Sequence, residues 1–412
     1  PWPSSARPSS NGGACKSRLF RLLIIDDTHM SARGVAVRGF VSKLTHRLRP
    51  MAVWCDPMRR AARAVAADDL DAALAIVSKA LQRDGLAPSR RRDLFHLRAR
   101  TRLLAGHDLN ALADFNGALA LAPDDAAALE ERATVYRRLG RDDKARADLV
   151  AACATGRAAP TAYLRLGHLY LGNGDIADAL TAYDAALAAD PKNCHALVSR
   201  ALAHDRVGDL NAALRDIGDA IALNPSRDAR LFLIRARLWR KFGAPRRAIV
   251  DAKAARSADR NNHDAALLLA DLYAVLDSPR AAVKAYSDVL GRSDAPARAV
   301  ANRARALAKL GRWDAARTDY DVAIARDPHH AGARNGRARV FMALGRWDLA
   351  ARDFTAAIDR APQCPRYRLN RGRLYEWMGQ TARARRDYCD ALAIDMSNDT
   401  ARRAVRSLQV VA

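Results

Sequence analysis

The residues best suited to metal or nucleophile chemistry are scattered along this chain. Its six cysteines form no C-x-x-C pair, so neither a zinc ligand set nor a dense disulfide framework is indicated, and reduced, mostly buried thiols are expected. His329 and His330 stand beside a proline and are interpreted as turn residues. The sequence has no glycine-rich phosphate loop and no G-x-S-x-G nucleophile motif. We therefore expect no catalytic site, no metal site and no cofactor.

Arginine and aspartate recur sixteen residues apart, a spacing that could join two neighbouring helices. An arginine fork that meets a carboxylate between packed helices forms a bidentate ion pair, so we interpret these combinations as structural, with ligand binding as the alternative. The predicted pairs are Arg98 with Asp114, Arg132 with Asp148, Arg200 with Asp216, Arg235 with Asp251, Arg303 with Asp319, Arg337 with Asp353 and Arg371 with Asp387. At two further places both members change together, to Leu166 with Ala182 and to Leu269 with Ala285. Joint replacement indicates contact, because a lone buried charge is costly.

The elements that position these pairs follow from a 34-residue period. Nine points mark it, with one step of 35: Gly106, Gly140, Gly174, Gly208, Gly243, Asp277, Gly311, Gly345 and Gly379. An alanine follows five residues later in every unit, and in most units a bulky or apolar residue follows four residues after that, which is the spacing of one helix face. Proline then ends the second helix in several units. Each unit is predicted to be a helix, a turn and a helix.

One stretch resembles the tetratricopeptide repeat signature over its whole length, through Tyr163, Leu166, Gly167, Tyr170, Ala179, Tyr183, Ala186 and Pro191. The resemblance implies an all-α, right-handed superhelical solenoid of about ten helix-turn-helix units over residues 57–398. Residues 399–412 are predicted to form a C-terminal capping helix, with Ala404, Val405, Leu408 and Val411 near helical spacing. Residues 1–56 fit no unit and are expected to be a basic, disordered leader.

That family resemblance implies that the first helices line a concave groove, where unit positions 2, 5, 6 and 9 face a bound peptide. Earlier units are mixed in sign there, whereas the last three units carry arginines and no carboxylate to neutralise them. Asparagine can hold a peptide backbone and arginine suits carboxylates, so an acidic segment of another protein is the expected partner, with a merely solvated helix face as the alternative. The predicted partner-binding residues are Arg298, Asn302, Arg305, Asn335, Arg339, Arg366, Asn370 and Arg373.

The overall charge leaves a second function class open. Lys and Arg number 69 against 45 Asp and Glu, and a net charge of +24 attracts nucleic acid as well as acidic peptides. An RNA-binding helical-repeat protein that uses this basic surface is therefore the alternative to a protein-binding scaffold. Groove aromatics for base stacking are scarce, with Trp377 as an exception, which favours the scaffold.

The location of the protein in the cell is the last expectation. No apolar run approaches the roughly 20 residues that a membrane-spanning helix needs, so no membrane insertion is expected. A cytoplasmic location is predicted. Organellar targeting is the alternative, because the first 25 residues contain no acid and superficially resemble a transit segment.

Overall fold

The protein is described by a computed structural model over residues 56–224, 228–291 and 296–410, and within these ranges it contains 21 helices and no strand. The all-α prediction is confirmed. The chain divides into two compact bodies, one that ends at Pro191 and one that begins at Lys192. The predicted leader lies outside the described residues except for Asp56, as do Cys15 and Cys55.

The first body contains four helix pairs in which each helix packs against the next one along the chain. Its helices are α1 (Asp56–Ala66), α2 (Leu70–Leu81), α3 (Pro88–Leu104), α4 (Asp108–Leu121), α5 (Ala126–Arg138), α6 (Asp142–Ala154), α7 (Pro160–Asn173) and α8 (Ile176–Ala189). Two second helices of this body, α4 and α8, precede a proline and end two residues before it, at Leu121 and Ala189. The reason is that a residue directly before proline disfavours the helical backbone conformation.

The second body contains six further pairs and a final single helix. Its helices are α9 (Cys194–Val207), α10 (Leu210–Leu223), α11 (Ala229–Lys241), α12 (Pro245–Ala258), α13 (His263–Val275), α14 (Pro279–Leu290), α15 (Ala297–Lys309), α16 (Trp313–Arg326), α17 (Ala331–Ala343), α18 (Trp347–Arg360), α19 (Pro365–Trp377), α20 (Thr381–Ile394) and α21 (Asp399–Val410). Side chains of Asn193, Asp209 and Asn262 cap the first turns of α9, α10 and α13.

Small residues allow the two helices of each unit to touch. The nine alanines at the predicted contact position are all fully buried: Ala111, Ala145, Ala179, Ala213, Ala248, Ala282, Ala316, Ala350 and Ala384. The bulky residues four positions later are buried as well: Phe115, Leu149, Tyr183, Ile217, Tyr286, Tyr320, Phe354 and Tyr388. Small and large side chains therefore alternate along the second helices, which lets neighbouring helices pack closely.

The turn between the two helices explains why glycine marks the period. Gly174 and Gly208 have φ angles of 94° and 85°, and Asp277 adopts 51° at the equivalent point. Glycine enters this left-handed region without a steric penalty, and aspartate tolerates it better than most residues. The one exception to glycine in the period therefore keeps the same backbone conformation.

Helix α21 covers the last pair of the second body. Ala401 is fully buried, and Ala404, Val405 and Leu408 pack against a cluster that contains Tyr388. Arg406 is exposed at the position where Gly372 packs against a second helix of its own unit. An exposed arginine at this position is typical of a helix on which no second helix packs. Val411 lies outside the described residues.

Candidate functional site

The arginine and aspartate combinations lie in contact within each unit. In all seven, Nε and Nη2 of the arginine donate to the two carboxylate oxygens, and the shortest N–O distance is 2.6 Å for Arg98 with Asp114 and 2.7 Å for the other six. The aspartates are between 2% and 7% exposed. The hydrogen bond to Asp319 raises the pKa of Arg303, as expected of a charge-assisted pair. These arginines are engaged inside the fold.

Four of these seven arginines make a second contact, which the sequence reasoning missed. Nη1 donates to a side chain sixteen residues earlier, on the second helix of the preceding unit. The distances are 2.8 Å from Arg132 to Asn116, 3.2 Å from Arg303 to Ser287, 2.7 Å from Arg337 to Asp321 and 2.9 Å from Arg371 to Thr355. Where leucine replaces the arginine, the residue sixteen positions earlier is Val150 or Lys253, neither of which can accept a hydrogen bond. The arginine and the acceptor sixteen residues earlier are thus lost together, so this second contact could have been predicted from the sequence.

The five arginines of the predicted partner-binding set are all exposed. Among the described residues, none of them has a carboxylate within ion-pair distance: Arg298, Arg305, Arg339, Arg366 and Arg373. Burial raises the pKa of Tyr320, while the charges of Arg305 and Arg339 oppose that rise, so both guanidinium groups act on one phenol. Arg366 lies over the ring of Tyr367 at 5.5 Å.

The three asparagines of the set are more engaged than predicted. Asn335 is only 6% exposed, and its Oδ1 accepts a hydrogen bond from Nδ2 of Asn370 at 2.8 Å. Asn302 donates to Asp271 at 3.2 Å and accepts from Arg305 at 2.6 Å. The prediction that Asn335 offers an open surface to a partner is therefore wrong, because its side chain is held inside by its neighbour.

Two carboxylates border the arginines, although neither stands at a groove position of the last three units. Asp271 lies in the preceding unit, where its Oδ1 accepts from the hydroxyl of Tyr286 at 2.5 Å. Glu376 follows Arg373 and accepts from the hydroxyl of Tyr388 at 2.8 Å. Both acceptors could have been predicted from the tyrosines, which stand at a buried position where other units have phenylalanine. A buried hydroxyl needs a hydrogen-bond acceptor.

The groove positions of the first body are paired with each other. Arg100 forms a bidentate pair with Glu131, and Nη1 of Arg165 donates to Thr134 at 3.0 Å. Nε2 of His96 lies 3.4 Å from Asp125, and its interaction with the carboxylate is the largest of the effects that lower the pKa of Asp125 to about 2. Arg100 and Glu131 therefore neutralise each other, and Arg165 is held by a neutral hydroxyl.

The other candidate residues do not assemble into a reactive site. His330 caps α17 by accepting from the backbone N–H of Ala333 at 3.3 Å, in agreement with its assignment to a turn. Three described cysteines are half-buried and Cys389 is exposed, so the expectation of mostly buried thiols is wrong. Within the described ranges, no group of three or more His, Cys, Asp or Glu side chains could hold a metal ion, and no helix is long and apolar enough to cross a membrane.

An exposed aromatic pair lies where helices of the last two units meet their turns. Trp377 is 67% exposed and Trp347 is 36% exposed, and their rings meet edge to face at 5.9 Å. Trp377 ends α19, whereas Trp347 begins α18. The pair therefore lies at helix ends and does not line the row of groove arginines.

Comparison with known sequences identifies the repeat. A family model described as tetratricopeptide repeat matches residues 164–228, 267–331 and 335–399. The chain belongs to the tetratricopeptide repeat family. This membership, together with the helix pairs above, supports a role as a protein–protein interaction scaffold.

Similar proteins extend over part of the array. DnaJ homolog subfamily C member 3 is 31% identical over 194 residues in both human and mouse, covering 43% of this chain and 38% of each relative. The chain therefore spans less than half the length of these curated relatives. Among solved structures, a tetratricopeptide repeat protein from Parabacteroides merdae shares 18% identity at a TM-score of 0.49, covering 61% of this chain and 98% of its own.

Proposed function

We propose that this tetratricopeptide repeat protein is a non-catalytic scaffold whose second body captures an acidic segment of a partner protein. The observation that carries the proposal is the set of exposed arginines on α15, α17 and α19 without a carboxylate within ion-pair distance among the described residues. Arg305, Arg339 and Arg373 occupy the ninth position of three successive units, so they recur once per unit along the array.

The internal ion pairs engage other arginines of these helices, so those arginines are not available to a partner. Arg303, Arg337 and Arg371 stand two residues before Arg305, Arg339 and Arg373, yet each is held by a buried aspartate. The neighbours on the groove side are not held by a carboxylate among the described residues, and only one guanidinium nitrogen of Arg305 is engaged, with Asn302. An extended acidic segment can therefore form charge-assisted hydrogen bonds with successive units, which are roughly twice as strong as neutral ones.

The test is capture of a fluorescein-labelled decapeptide of alternating Asp and Glu, measured by fluorescence anisotropy. Changing Arg305, Arg339 and Arg373 together to Glu should abolish binding and leave the helical circular dichroism signal unchanged, because exposed charges contribute little to folding. The matched control changes Arg317, Arg352 and Arg385 to Glu. These three are exposed on the second helices α16, α18 and α20, so the net charge changes equally away from the groove.

RNA binding is the second candidate, favoured by the net charge of +24 and by the exposed pair of Trp347 and Trp377. A 20-nucleotide oligo-uridine probe separates the two functions. Binding of RNA that falls steeply with salt, and that both triple variants weaken equally, would support a diffuse basic surface. Peptide binding that only the groove variant loses, and that excess RNA does not displace, supports the scaffold.

A further inference from the structure

A pocket of about 290 Å³ lies between α13, α14 and α15 of the second body, at the start of the arginine row. The apolar part of its wall comes from Ala274, Val275, Pro279 and Ala306, and the rest is polar or charged. Val275 is 68% exposed at this place, so it leaves apolar surface in contact with water. The space is of the size of one large amino-acid side chain rather than of a cofactor.

The charged groups around the pocket cancel one another. Lys309 forms an ion pair with Asp277 at 2.6 Å across the rim. Arg305 donates to Asn302 at 2.6 Å, and Asn302 in turn donates to Asp271 at 3.2 Å. Two cations and two carboxylates therefore line one small space. A side chain that enters it gains little from a charge of either sign, whereas burial of apolar surface is favourable.

Asp271 also marks where the row of cations ends. It occupies the ninth position of its unit, which is arginine in each of the next three units. An acidic residue of a partner segment that is attracted by Arg305 would be repelled one unit earlier by Asp271. Both internal donors to Asp271, Tyr286 and Asn302, use its Oδ1, so Oδ2 faces no internal donor among the described residues. A backbone N–H of a bound segment can donate to it.

We infer that this pocket takes one apolar side chain of the partner segment, next to the acidic residues that contact the arginines. The inference rests on the proposed function and names the partner more closely: an acidic segment with a single leucine, methionine or phenylalanine at one end. The apolar side chain covers Val275 and the three other wall residues, while its backbone N–H donates to Asp271. The pocket thereby fixes the register of the segment in the groove.

The experiment uses the full chain and the labelled Asp/Glu decapeptide, with leucine replacing each position in turn. One register should bind about tenfold more tightly than the all-acidic peptide, because one apolar side chain is buried. Ala274→Leu fills the pocket and should remove that gain while keeping the affinity for the all-acidic peptide. Asp271→Asn removes the repulsion, so it should strengthen binding of the all-acidic peptide and reduce the advantage of leucine.

Ala308→Leu is the matched control, because Ala308 stands at the same position one unit later and does not line the pocket. It should keep the full gain from leucine, and circular dichroism on heating verifies that each variant is folded. If acidic peptides bind and no leucine register gains affinity, the inference is overturned while the proposed function stands. A gain that survives Ala274→Leu also overturns it. If no acidic peptide binds at all, both fail together.

Discussion

Arg100 in the first body and Arg305 in the second occupy the same position of their units, yet their surroundings differ. Arg100 is held in a bidentate pair by Glu131, which lies 31 residues later on the first helix of the next unit. The residue 31 positions after Arg305 is Gly336, which has no side chain to offer. Arg100 is neutralised by a residue of the array, whereas Arg305 has no carboxylate within ion-pair distance among the described residues.

The 31-residue contact is a general feature of the groove in both bodies. It joins Arg165 to Thr134 in the first body and Asn302 to Asp271 in the second. The ninth position of one unit thus faces the sixth position of the next. Since the helix frame is the same, the choice of residue at these two positions decides whether a groove arginine is paired or available.

Gly336 lies opposite Arg305 where the first body has Glu131 opposite Arg100. Substitution of this glycine should have the largest effect on stability among the changes proposed. A Cβ atom added there would lie 2.3 Å from Cζ of the buried ring of Tyr320. Gly336→Ala should therefore lower the free energy of unfolding by about 3 kcal/mol, measured by urea denaturation, because the core is already filled. The glycine is then required by packing, and the openness of Arg305 follows from it.

Gly332→Ala is the control for that change. Its added Cβ would lie 3.3 Å from the side chain of His330 and 3.9 Å from the hydroxyl of Tyr367, so a much smaller loss is expected. Combining Gly336→Ala with Tyr320→Leu should recover part of the loss, since a shorter side chain leaves room. Equal losses for the two glycines would show that Tyr320 is not the obstacle.

Breaking one internal ion pair in each body tests whether these pairs contribute equally to the stability of both bodies. Arg132→Ala in the first body and Arg303→Ala in the second should each cost about 2 kcal/mol, because each strands a buried aspartate. The two losses should agree, since both pairs have the same shortest N–O distance of 2.7 Å. The measurement is urea denaturation of the two variants side by side.

A double-mutant cycle separates the pair from its surroundings. Arg303→Leu with Asp319→Ala should recover much of the loss, because the chain already uses this solution at Leu269 and Ala285, which are both buried. Losses that simply add would show that the two residues are not coupled.

Much of this arrangement could be predicted from the sequence. The 34-residue period predicts the helix pairs and their contact alanines, because each unit solves the same packing problem. The joint loss of arginine and aspartate predicts the internal pairs. The acceptors on the preceding unit and the carboxylate of Asp271 were missed, because both depend on which side chains meet across the boundary between units.

The basic leader, the cytoplasmic location and the right-handed superhelix through the whole chain stay predictions. Asn335 shows a further limit of position rules. A position that faces the groove in one unit can be covered in the next, because the neighbouring Asn370 offers a better hydrogen-bond partner than water.

The difference between the two bodies can be tested by introducing into the second body a carboxylate at the position that Glu131 occupies in the first. Asn370 lies 31 residues after Arg339, so Asn370→Glu places a carboxylate where Glu131 stands relative to Arg100. Affinity for the acidic decapeptide should fall about tenfold, while the free energy of unfolding falls by about 1 kcal/mol, because the buried Oδ1 of Asn335 loses its donor. Fluorescence anisotropy measures the first quantity and urea denaturation the second. Thr318→Glu, exposed on α16, adds the same charge outside the groove and should leave affinity nearly unchanged. A similar loss in both variants would point to net charge alone.

The smallest effect is expected at Asp125. This residue caps the start of α5 and lies next to the groove histidine His96 of the first body. Its carboxylate accepts from the backbone N–H groups of Ala127 and Ala128 and lies 3.4 Å from His96. The interaction with His96 is the largest cause that lowers the pKa of Asp125 to about 2, and the bond from Ala128 and the charge of Arg92 add to it.

A lowered pKa means that the fold favours the carboxylate. The stabilising contribution of Asp125 is therefore fully present above its unfolded pKa, near 4, and is lost as the pH falls towards about 2. His96→Gln removes the largest cause, so the pKa of Asp125 should rise towards its ordinary value, and the acid-induced loss should begin at higher pH. Carboxyl-carbon NMR titration measures this directly. Asp395 serves as an internal control, because a hydrogen bond from Ser397 is the main cause that lowers its pKa and it should not respond. An unchanged titration of Asp125 in the variant would mean that the helix start alone holds the charge, and that the groove of the first body is neutralised without help from His96.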